Sequence, residues 1–317
     1  LAEIASALRG VTHAVVATHE NPDGDAIGSA RAAQLILAAI GIDVLVHIPG
    51  NVIPREYESI KPDGMVSGVP EDIDQRTVIC LDCGNASRIA NPQLLERAAQ
   101  VFNIDHHADN THYGSMNVVV GSAACSTLLV RELARELDVA ITPAMAKAIY
   151  IGLVTDTGRF QYSNTNPEAF ALAAELVSFG ADTHEIFREV YERIEYPRLK
   201  LLARGLEHAQ RHDGGRVVTT HITRNDFADA QADDDDAEGI VDFLRGIEGT
   251  YVAVFVRDLA DGSARRRKGS LRTTRNDVDV SVIARTWSGG GHRQAAGFST
   301  DDSMDVIVER VIAGLHD

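Results

Sequence analysis

Short apolar runs alternate with segments of helical period through the first half of this chain. Ala14-Val15-Val16-Ala17, Val44-Leu45-Val46, Thr77 to Leu81 and Val101-Phe102-Asn103-Ile104 read as strands. Asp25 to Ile40 carries Ile27, Ala30, Leu35, Leu37 and Ala38 in a helical pattern, and Gly41 closes it as a C-cap. Pro92 to Gln100, Ser122 to Leu137 and Pro143 to Val154 also read as helices. Strand–helix alternation predicts an α/β fold whose parallel sheet is flanked by helices on both faces. Three helices in succession are expected over 167–210, with breaks near Gly180-Ala181-Asp182 and Tyr196-Pro197. From Arg216 the pattern changes. Val217 to His221, Tyr251 to Val256 and Arg266 to Leu271 read as strands, with helices near Ala237 to Arg245 and Val278 to Arg285. A smaller C-terminal α+β domain follows from this. The expected division is 1–185 for the first domain, 186–214 for a helical linker and 215–317 for the second domain.

Ligands of parallel sheets bind beyond the carboxyl ends of the strands. Polar residues are concentrated there. Asp105-His106-His107 directly follows the strand ending at Ile104. His19-Glu20-Asn21-Pro22-Asp23-Gly24-Asp25 follows the first strand, and Leu81-Asp82-Cys83-Gly84 closes the third. Thr155-Asp156-Thr157-Gly158 follows a helical run instead, so only tertiary structure can bring Asp156 to the same place. Each segment alone has a plain reading. Asn21-Pro22-Asp23-Gly24 is a strong turn signal, Asp25 suits a helix cap, Asp82-Cys83-Gly84 suits a strand-to-loop turn, and Asp156 suits a helix end. Their joint occurrence favours one site. So many carboxylates and imidazoles brought together would be costly unless neutralised. Imidazole and carboxylate without thiolate suit Mn²⁺, Fe²⁺, Co²⁺ or Mg²⁺ better than structural zinc. One aspartate shared by two ions is a usual way to hold them roughly 3.5–4 Å apart.

Charge narrows the partners. The net charge is −16, and Lys61, Lys147, Lys200 and Lys268 are the only lysines. Such a chain is no general coater of nucleic acid, so an anionic substrate has to be drawn by local positive charge or by metal. Positive charge is local at Arg265-Arg266-Arg267-Lys268 and Arg272. Arg265 and Arg266 read as a solvated hairpin end. Gly289-Gly290-Gly291, followed by His292 and Arg293, offers backbone N–H groups to an anion or else a tight turn before a strand through Ala295 to Phe298. The acidic run Gln231 to Glu238 reads as a solvated loop entering a helix. Cys80 and Cys83 have C-x-x-C spacing but no second pair to complete a zinc site. Three cysteines give no disulfide framework, which points to a reducing cytoplasm. No apolar run approaches the roughly 20 residues of a membrane helix, and no targeting segment is visible after Leu1.

The order His19-x-x-x-Asp23-x-Asp25, Asp82, Asp105-His106-His107, Asp156 resembles the four motifs of the DHH phosphoesterase superfamily. Ser288 to Phe298 resembles the glycine-rich GGGH signature of the DHH-associated C-terminal domain, and Ser270-Leu271-Arg272 resembles a segment of NrnA-type oligoribonucleases. One departure is Ser288, where many relatives carry a fourth glycine. The resemblance implies one ion held by His19, Asp23 and Asp82 and a second held by Asp25, Asp82, His106 and Asp156, with Asp82 bridging. Asp105 would orient a histidine, and His107 would face the scissile phosphate. Asp82, Asp105 and His107 are thus the implied catalytic group. Arg272, Gly289, Gly290, Gly291, His292 and Arg293 would bind substrate, with the site in the cleft between the domains. Two divalent cations are implied, Mn²⁺ first, with Mg²⁺ or Co²⁺ as alternatives. The implied activity is hydrolysis of short oligoribonucleotides to mononucleotides, together with removal of the 3′-phosphate of 3′-phosphoadenosine 5′-phosphate. Partners would be short single-stranded RNA or nucleotides and no membrane, and a homodimer is an allowed assembly. Cyclic-dinucleotide phosphodiesterases and RecJ-like single-strand exonucleases share the motifs and stand as alternatives. Family II pyrophosphatases lack the GGGH signature. A non-catalytic nucleotide-binding or replication-complex module is the alternative from another class.

Overall fold

Six parallel strands build the first sheet: β1 (His13–Ala17), β2 (Asp43–His47), β3 (Met65–Val66), β4 (Thr77–Leu81), β5 (Gln100–Asp105) and β6 (Met116–Val119), in the order β3-β2-β1-β4-β5-β6. The coordinates form a computed structural model that describes residues 1–260 and 262–316, with the side chains of His292 and His316 outside that description. By contact the chain divides into two units, Leu1–Arg193 and Ile194–Asp317. The central strands are apolar on both faces because both faces are covered. Every residue of β4 is buried. Strand order reverses between β1 and β4, which opens a crevice at their carboxyl ends. The His19 and Asp82 segments leave the sheet at that point.

One face of the sheet carries most of the helices: α1 (Ala2–Leu8), α2 (Gly24–Ala39), α4 (Ser126–Glu136), α5 (Pro143–Asp156), α6 (Pro167–Ser178) and α7 (Thr183–Tyr191) share one core with Val16, Ile79, Phe102 and Ile104. The other face is covered more thinly. Val15, Ala17, Val78 and Cys80 pack there against Ile73, Ile89 and Leu94, which sit on short 3₁₀ turns and on the five-residue α3 (Pro92–Glu96). Helix α2 is buried nearly all round, because α4 and α5 pack on it. A Cβ on Gly28 of α2 would lie 2.5 Å from the Ala148 carbonyl oxygen of α5 and 3.3 Å from Thr127 Cγ2 of α4. Three helices therefore meet at a point where only glycine fits.

Two helices are shorter than their sequence patterns predict. The pattern over Pro92 to Gln100 ends as a helix at Glu96, because the backbone beyond it is claimed by the sheet. Ala99 N–H donates to the Arg76 carbonyl, and Gln100 pairs with Thr77. The pattern from Ser122 becomes helical only at Ser126, after extended Cys125. The predicted helix over Ala237 to Arg245 resolves into a 3₁₀ turn at Asp235–Ala237, left-handed Gly239, and α10 below. Edge strands β3 and β6 carry no periodic signal because they are only 2 and 4 residues long.

The second unit contains α8 (Tyr196–Glu207), β7 (Gln210–His212), β8 (Val217–Ile222), α9 (Arg224–Ala230), α10 (Ile240–Arg245), β9 (Val252–Asp258), β10 (Arg267–Arg272), α11 (Val280–Arg285), β11 (Gly290–His292), β12 (Ala295–Thr300) and α12 (Met304–His316). Its sheet runs β11-β12-β10-β9-β8-β7, antiparallel except for the β8–β9 pair. Val254 and Leu271 face α11 and α12, whereas Val218 and Phe255 face α8, α9 and α10. Pro197 opens α8 in its first turn, where its missing N–H costs nothing. The acidic run is more structured than a solvated loop: Asp233 caps the 3₁₀ turn, and Asp234 pairs with Arg224 at 2.7 Å. No helix among the described residues is long and apolar enough to cross a membrane.

The three-helix contact predicts the cost of filling it. Gly28→Ala should lower the unfolding free energy of the first unit by about 1–3 kcal/mol, the usual penalty for overpacking. Urea denaturation checks this, and an unchanged midpoint would contradict the close contact.

Candidate metal centre

Strand ends supply most of the site. Strand β1 delivers His19, β4 delivers Asp82 and β5 ends on Asp105, with His106 and His107 just beyond. Asp23 caps α2: its Oδ1 accepts from the N–H groups of Asp25 and Ala26 at 3.1 and 3.0 Å. Asp25 therefore does not cap its own helix. Its carboxylate, 1% exposed, reaches across to the start of α4 and accepts from Ser126 N–H at 2.6 Å and Thr127 N–H at 2.9 Å. The positive end of that helix makes this a favourable place for a buried anion. Asp156 is the last residue of α5, so the crossing of α2 and α5 brings it near Asp25.

The side chains form interlocking donor sets. One contains His19, Asp23 and Asp82, and another contains Asp25, His106 and Asp156, with the donor atoms of each set within 4.8 Å of one another. Asp82 joins them. Its Oδ2 lies 3.6 Å from His19 Nε2, and its Oδ1 lies 3.6 Å from His106 Nε2. His106 Nε2 is also 3.9 Å from Asp25 Oδ2 and 3.6 Å from Asp156 Oδ2. Both imidazoles are turned the same way. His19 Nδ1 faces the Glu20 carbonyl at 2.8 Å and His106 Nδ1 faces the Ala123 carbonyl at 3.3 Å. With Nδ1–H donating to those carbonyls, each Nε2 presents a lone pair to the acids, as metal ligation requires. Asp82 stands in the left-handed region, φ 54°, and Ser126 Oγ donates to its Oδ1 at 3.0 Å.

Charge balance supports a cation here. Burial, and then the neighbouring Asp82 and Asp156 charges, push Asp25 well above the ordinary carboxylate range. Burial also raises Asp156, to about 6, against the opposing effect of His106. Carboxylates that resist ionising beside one another are the donor set that a divalent ion relieves.

Asp105 belongs to a layer behind these groups. Its Oδ1 accepts from His107 Nδ1 at 2.7 Å and from His106 N–H at 2.8 Å, and its Oδ2 accepts from Asn110 Nδ2 at 2.6 Å. Burial opposes the Asp105 charge, but the His107 and Asn110 hydrogen bonds outweigh it and hold the group below the usual range. In return Asp105 raises His107 to about 9, so the imidazole carries a proton at neutral pH.

Several supporting residues escaped the sequence reading. Ser126 and Thr127 act mainly through backbone N–H groups, which leave no mark in the sequence. Asn164 donates to the Asp156 carbonyl at 3.1 Å and to its carboxylate at 3.4 Å. It returns to Asp156 after three consecutive left-handed residues, Gly158, Arg159 and Phe160, with φ 55°, 62° and 62°. Arg88 Nη2 lies 3.0 Å from His19 Nδ1. Cys80 and Cys83 are buried free thiols, and burial pushes Cys80 up to about 12.

In the second unit Arg272 ends β10 and is level with Ala295 of β12, which in turn pairs with His292 of β11. Arg272 Nη1 donates to the Leu271 carbonyl at 3.1 Å, and Asp242 is 3.9 Å from its Nε. Gly290 and Gly291 lie in β11 rather than in a free loop, with Gly289 immediately before it. Arg293 is tied down by two hydrogen bonds to the Asn276 carbonyl, at 2.9 and 3.1 Å. Ser288 takes φ 57°, a conformation that glycine adopts without strain. The His292 side chain lies outside the described residues.

Residues 13–153 match the DHH family, N-terminal domain, and residues 214–316 match the DHHA1 domain. This chain belongs to the DHH phosphoesterase family. Within it, the chain is 33% identical over 325 aligned residues to the bifunctional oligoribonuclease and PAP phosphatase NrnA of Thermus thermophilus, covering 100% of this chain and 93% of the relative. The fold is shared with an exopolyphosphatase-related protein from Bacteroides fragilis, at TM-score 0.85 and 22% identity over 99% of this chain and 95% of the other. It is also shared, more distantly, with RecJ of Thermus thermophilus in complex with Mn²⁺, at TM-score 0.56 and 17% identity over 100% of this chain and 55% of the other.

The electrostatics can be read directly in solution. In metal-free protein the His107 ring should titrate near 9, and Asp105→Asn should return it toward 6.5; histidine NMR reads both, and an unmoved midpoint would show that Asp105 is not the cause. Asp156 is raised from 3.8 to about 6, so its contribution to stability is full below 3.8 and lost as pH rises through 6. A cation offsets that loss. The rise in Tm on adding Mn²⁺ should therefore be larger at about pH 7.5 than at about pH 5.

Proposed function

We propose that this chain is a metal-dependent phosphodiesterase that hydrolyses short oligoribonucleotides to mononucleotides and removes the 3′-phosphate of 3′-phosphoadenosine 5′-phosphate. The observation that carries this reading is the pair of donor sets joined through Asp82, in a chain similar to NrnA over its whole length. His19, Asp23 and Asp82 would hold one cation, and Asp25, Asp82, His106 and Asp156 the other, with Mn²⁺ the favoured ion. When bound, the ions supply an activated water and neutralise phosphate charge. Asp25 is held rigid by the α4 N–H groups, and Asp82 by Ser126, so both ligands are preorganised. His107, kept protonated by Asp105, has its Nε2 proton for the phosphate or for the departing sugar oxygen. The P–O bond to the leaving sugar breaks, the oxygen of water joins phosphorus, and the leaving oxygen ends protonated.

The second unit would grip the far end of the nucleotide. Arg272, the Gly289-Gly290-Gly291 segment, His292 and Arg293 are the residues we assign to that task. The roles of 1–185 as catalytic domain, 186–214 as linker and 215–317 as substrate-binding domain belong to the same proposal. Three free, buried cysteines accord with a reducing cytoplasm as its place of action.

Assay with Mn²⁺ against pApA, longer oligoribonucleotides, 3′-phosphoadenosine 5′-phosphate, cyclic di-AMP and pyrophosphate tests the reading. pApA and 3′-phosphoadenosine 5′-phosphate should be cleaved fastest. Preference for cyclic di-AMP would replace the substrate assignment, and no hydrolysis at all would replace catalysis with binding. Asp82→Ala should lower turnover by roughly 10³-fold or more, since it removes a group assigned to both ions; near-normal activity in that variant would sink the two-ion assignment.

A further inference from the structure

We propose that Arg88 is a further substrate-contacting residue, whose guanidinium takes a non-bridging oxygen of the scissile phosphate once the metal centre is loaded. The inference deepens the phosphoesterase reading and rests on it.

The first observation is an unbalanced charge. Nearly every buried or half-buried arginine of this acidic chain has a carboxylate beside it: Arg76 with Asp43 and Asp72, Arg131 with Glu175, Arg267 with Asp258, Arg275 with Asp277. Arg88 lies next to the densest group of acids in the first unit. Even so, no carboxylate among the described residues comes within 4.0 Å of it. Its one side-chain partner there is His19 Nδ1, at 3.0 Å. A half-buried guanidinium with no counter-ion needs an acceptor.

The second observation is a conflict at that nitrogen. Glu20 O and Arg88 Nη2 converge on His19 Nδ1 from 2.8 and 3.0 Å. The carbonyl needs a proton on Nδ1, whereas the guanidinium needs a lone pair there. One proton position can satisfy only one of them. A His19 that presents the Nε2 lone pair toward Asp82 carries its proton on Nδ1 and donates to Glu20 O. Arg88 then loses its acceptor. In that arrangement a guanidinium N–H of Arg88 is left without an acceptor one imidazole-width from His19 Nε2. Phosphate is the acceptor that would arrive there, and beside cations whose charge the carboxylates already balance a further guanidinium adds positive charge for it.

The third observation is that Arg88 is built into place. It sits in the 3₁₀ turn Ala86–Ile89, capped by Asn85, whose Oδ1 accepts from Ser87 N–H. Glu20 N–H donates to the Arg88 carbonyl at 2.8 Å, so the arginine and the segment carrying His19 move as one. His47 Nε2 faces the Ile89 carbonyl at 3.3 Å, and Ala90 leaves the turn at φ 56°. These bonds fix the backbone from which the Arg88 side chain reaches His19.

The experiment compares wild type with Arg88→Ala and Arg88→Lys. Calorimetric titration with Mn²⁺ is followed by titration of the Mn²⁺-loaded proteins with inorganic phosphate. Arg88→Ala should keep Mn²⁺ affinity within about threefold and lose roughly tenfold or more in phosphate affinity, with Arg88→Lys in between. KM for pApA should rise with the same ranking. Unchanged phosphate affinity in Arg88→Ala would overturn the inference. So would a tenfold fall in Mn²⁺ affinity with normal phosphate binding at saturating metal, since Arg88 would then only support His19. Should wild type bind phosphate through Arg88 yet cleave no nucleotide, the proposed substrate falls and Arg88 stands.

Discussion

The buried Asp25 carboxylate is the constraint around which the first unit is arranged. A lone charge at 1% exposure would be very costly in a protein interior. Two things offset part of that cost. The start of α4 turns two backbone N–H groups onto it, and His106 lies on its other side. The carboxylate in turn caps the helix start, and the helical pattern from Ser122 is realised only from Ser126. Gly28 and Gly152 complete the arrangement by letting α2, α4 and α5 come close enough for the contact. A Cβ on Gly152 would lie 2.7 Å from Asp25 Oδ1.

Around that group the site is organised in layers with different tasks. Asp82, Asp25, Asp156, His19 and His106 converge, and each is held by a partner that faces away from the centre: Ser126, the α4 N–H groups, Asn164, the Glu20 carbonyl and the Ala123 carbonyl. Such support fixes the direction of each candidate donor and is usual in metal sites. Asp105 works differently. It is deeply buried, accepts from three donors and raises the proton affinity of His107. The Asp-His-His triplet thus contains one group of each kind: an acid bonded to its neighbour's ring, a candidate ligand and an imidazole whose proton affinity is raised.

An acidic protein that handles a phosphate must place its few positive charges with care. Most arginines are spent on ion pairs, and the exposed pairs among them contribute little to stability. The guanidinium groups of Arg88 and Arg272 are less committed. Among the described residues the acid paired with Arg272 is Asp242, at 3.9 Å, and strand register sets Arg272 in line with the backbone of His292. Arg293 is more constrained than its position suggests, because the Asn276 carbonyl already holds two of its N–H groups.

By itself, the sequence determined the four inner strands β2, β1, β4 and β5 of the first sheet, the α/β class and the set of polar residues at the strand ends. It could do so because buried parallel strands require continuous apolar runs, and motif residues follow those runs at fixed spacing. His19, Asp82 and Asp105-His106-His107 were legible for that reason. The tertiary structure decided what spacing does not encode. It showed Asp23 rather than Asp25 capping α2, because helix direction sends the Asp25 side chain toward α4. It ended α3 at Glu96, because sheet hydrogen bonds outweigh local helix preference. It brought Asp156 to the site from a helix end, through a glycine-lined crossing. Asn164 and Arg88 were invisible beforehand, since each acts through a long-range contact that leaves no periodic trace in the chain.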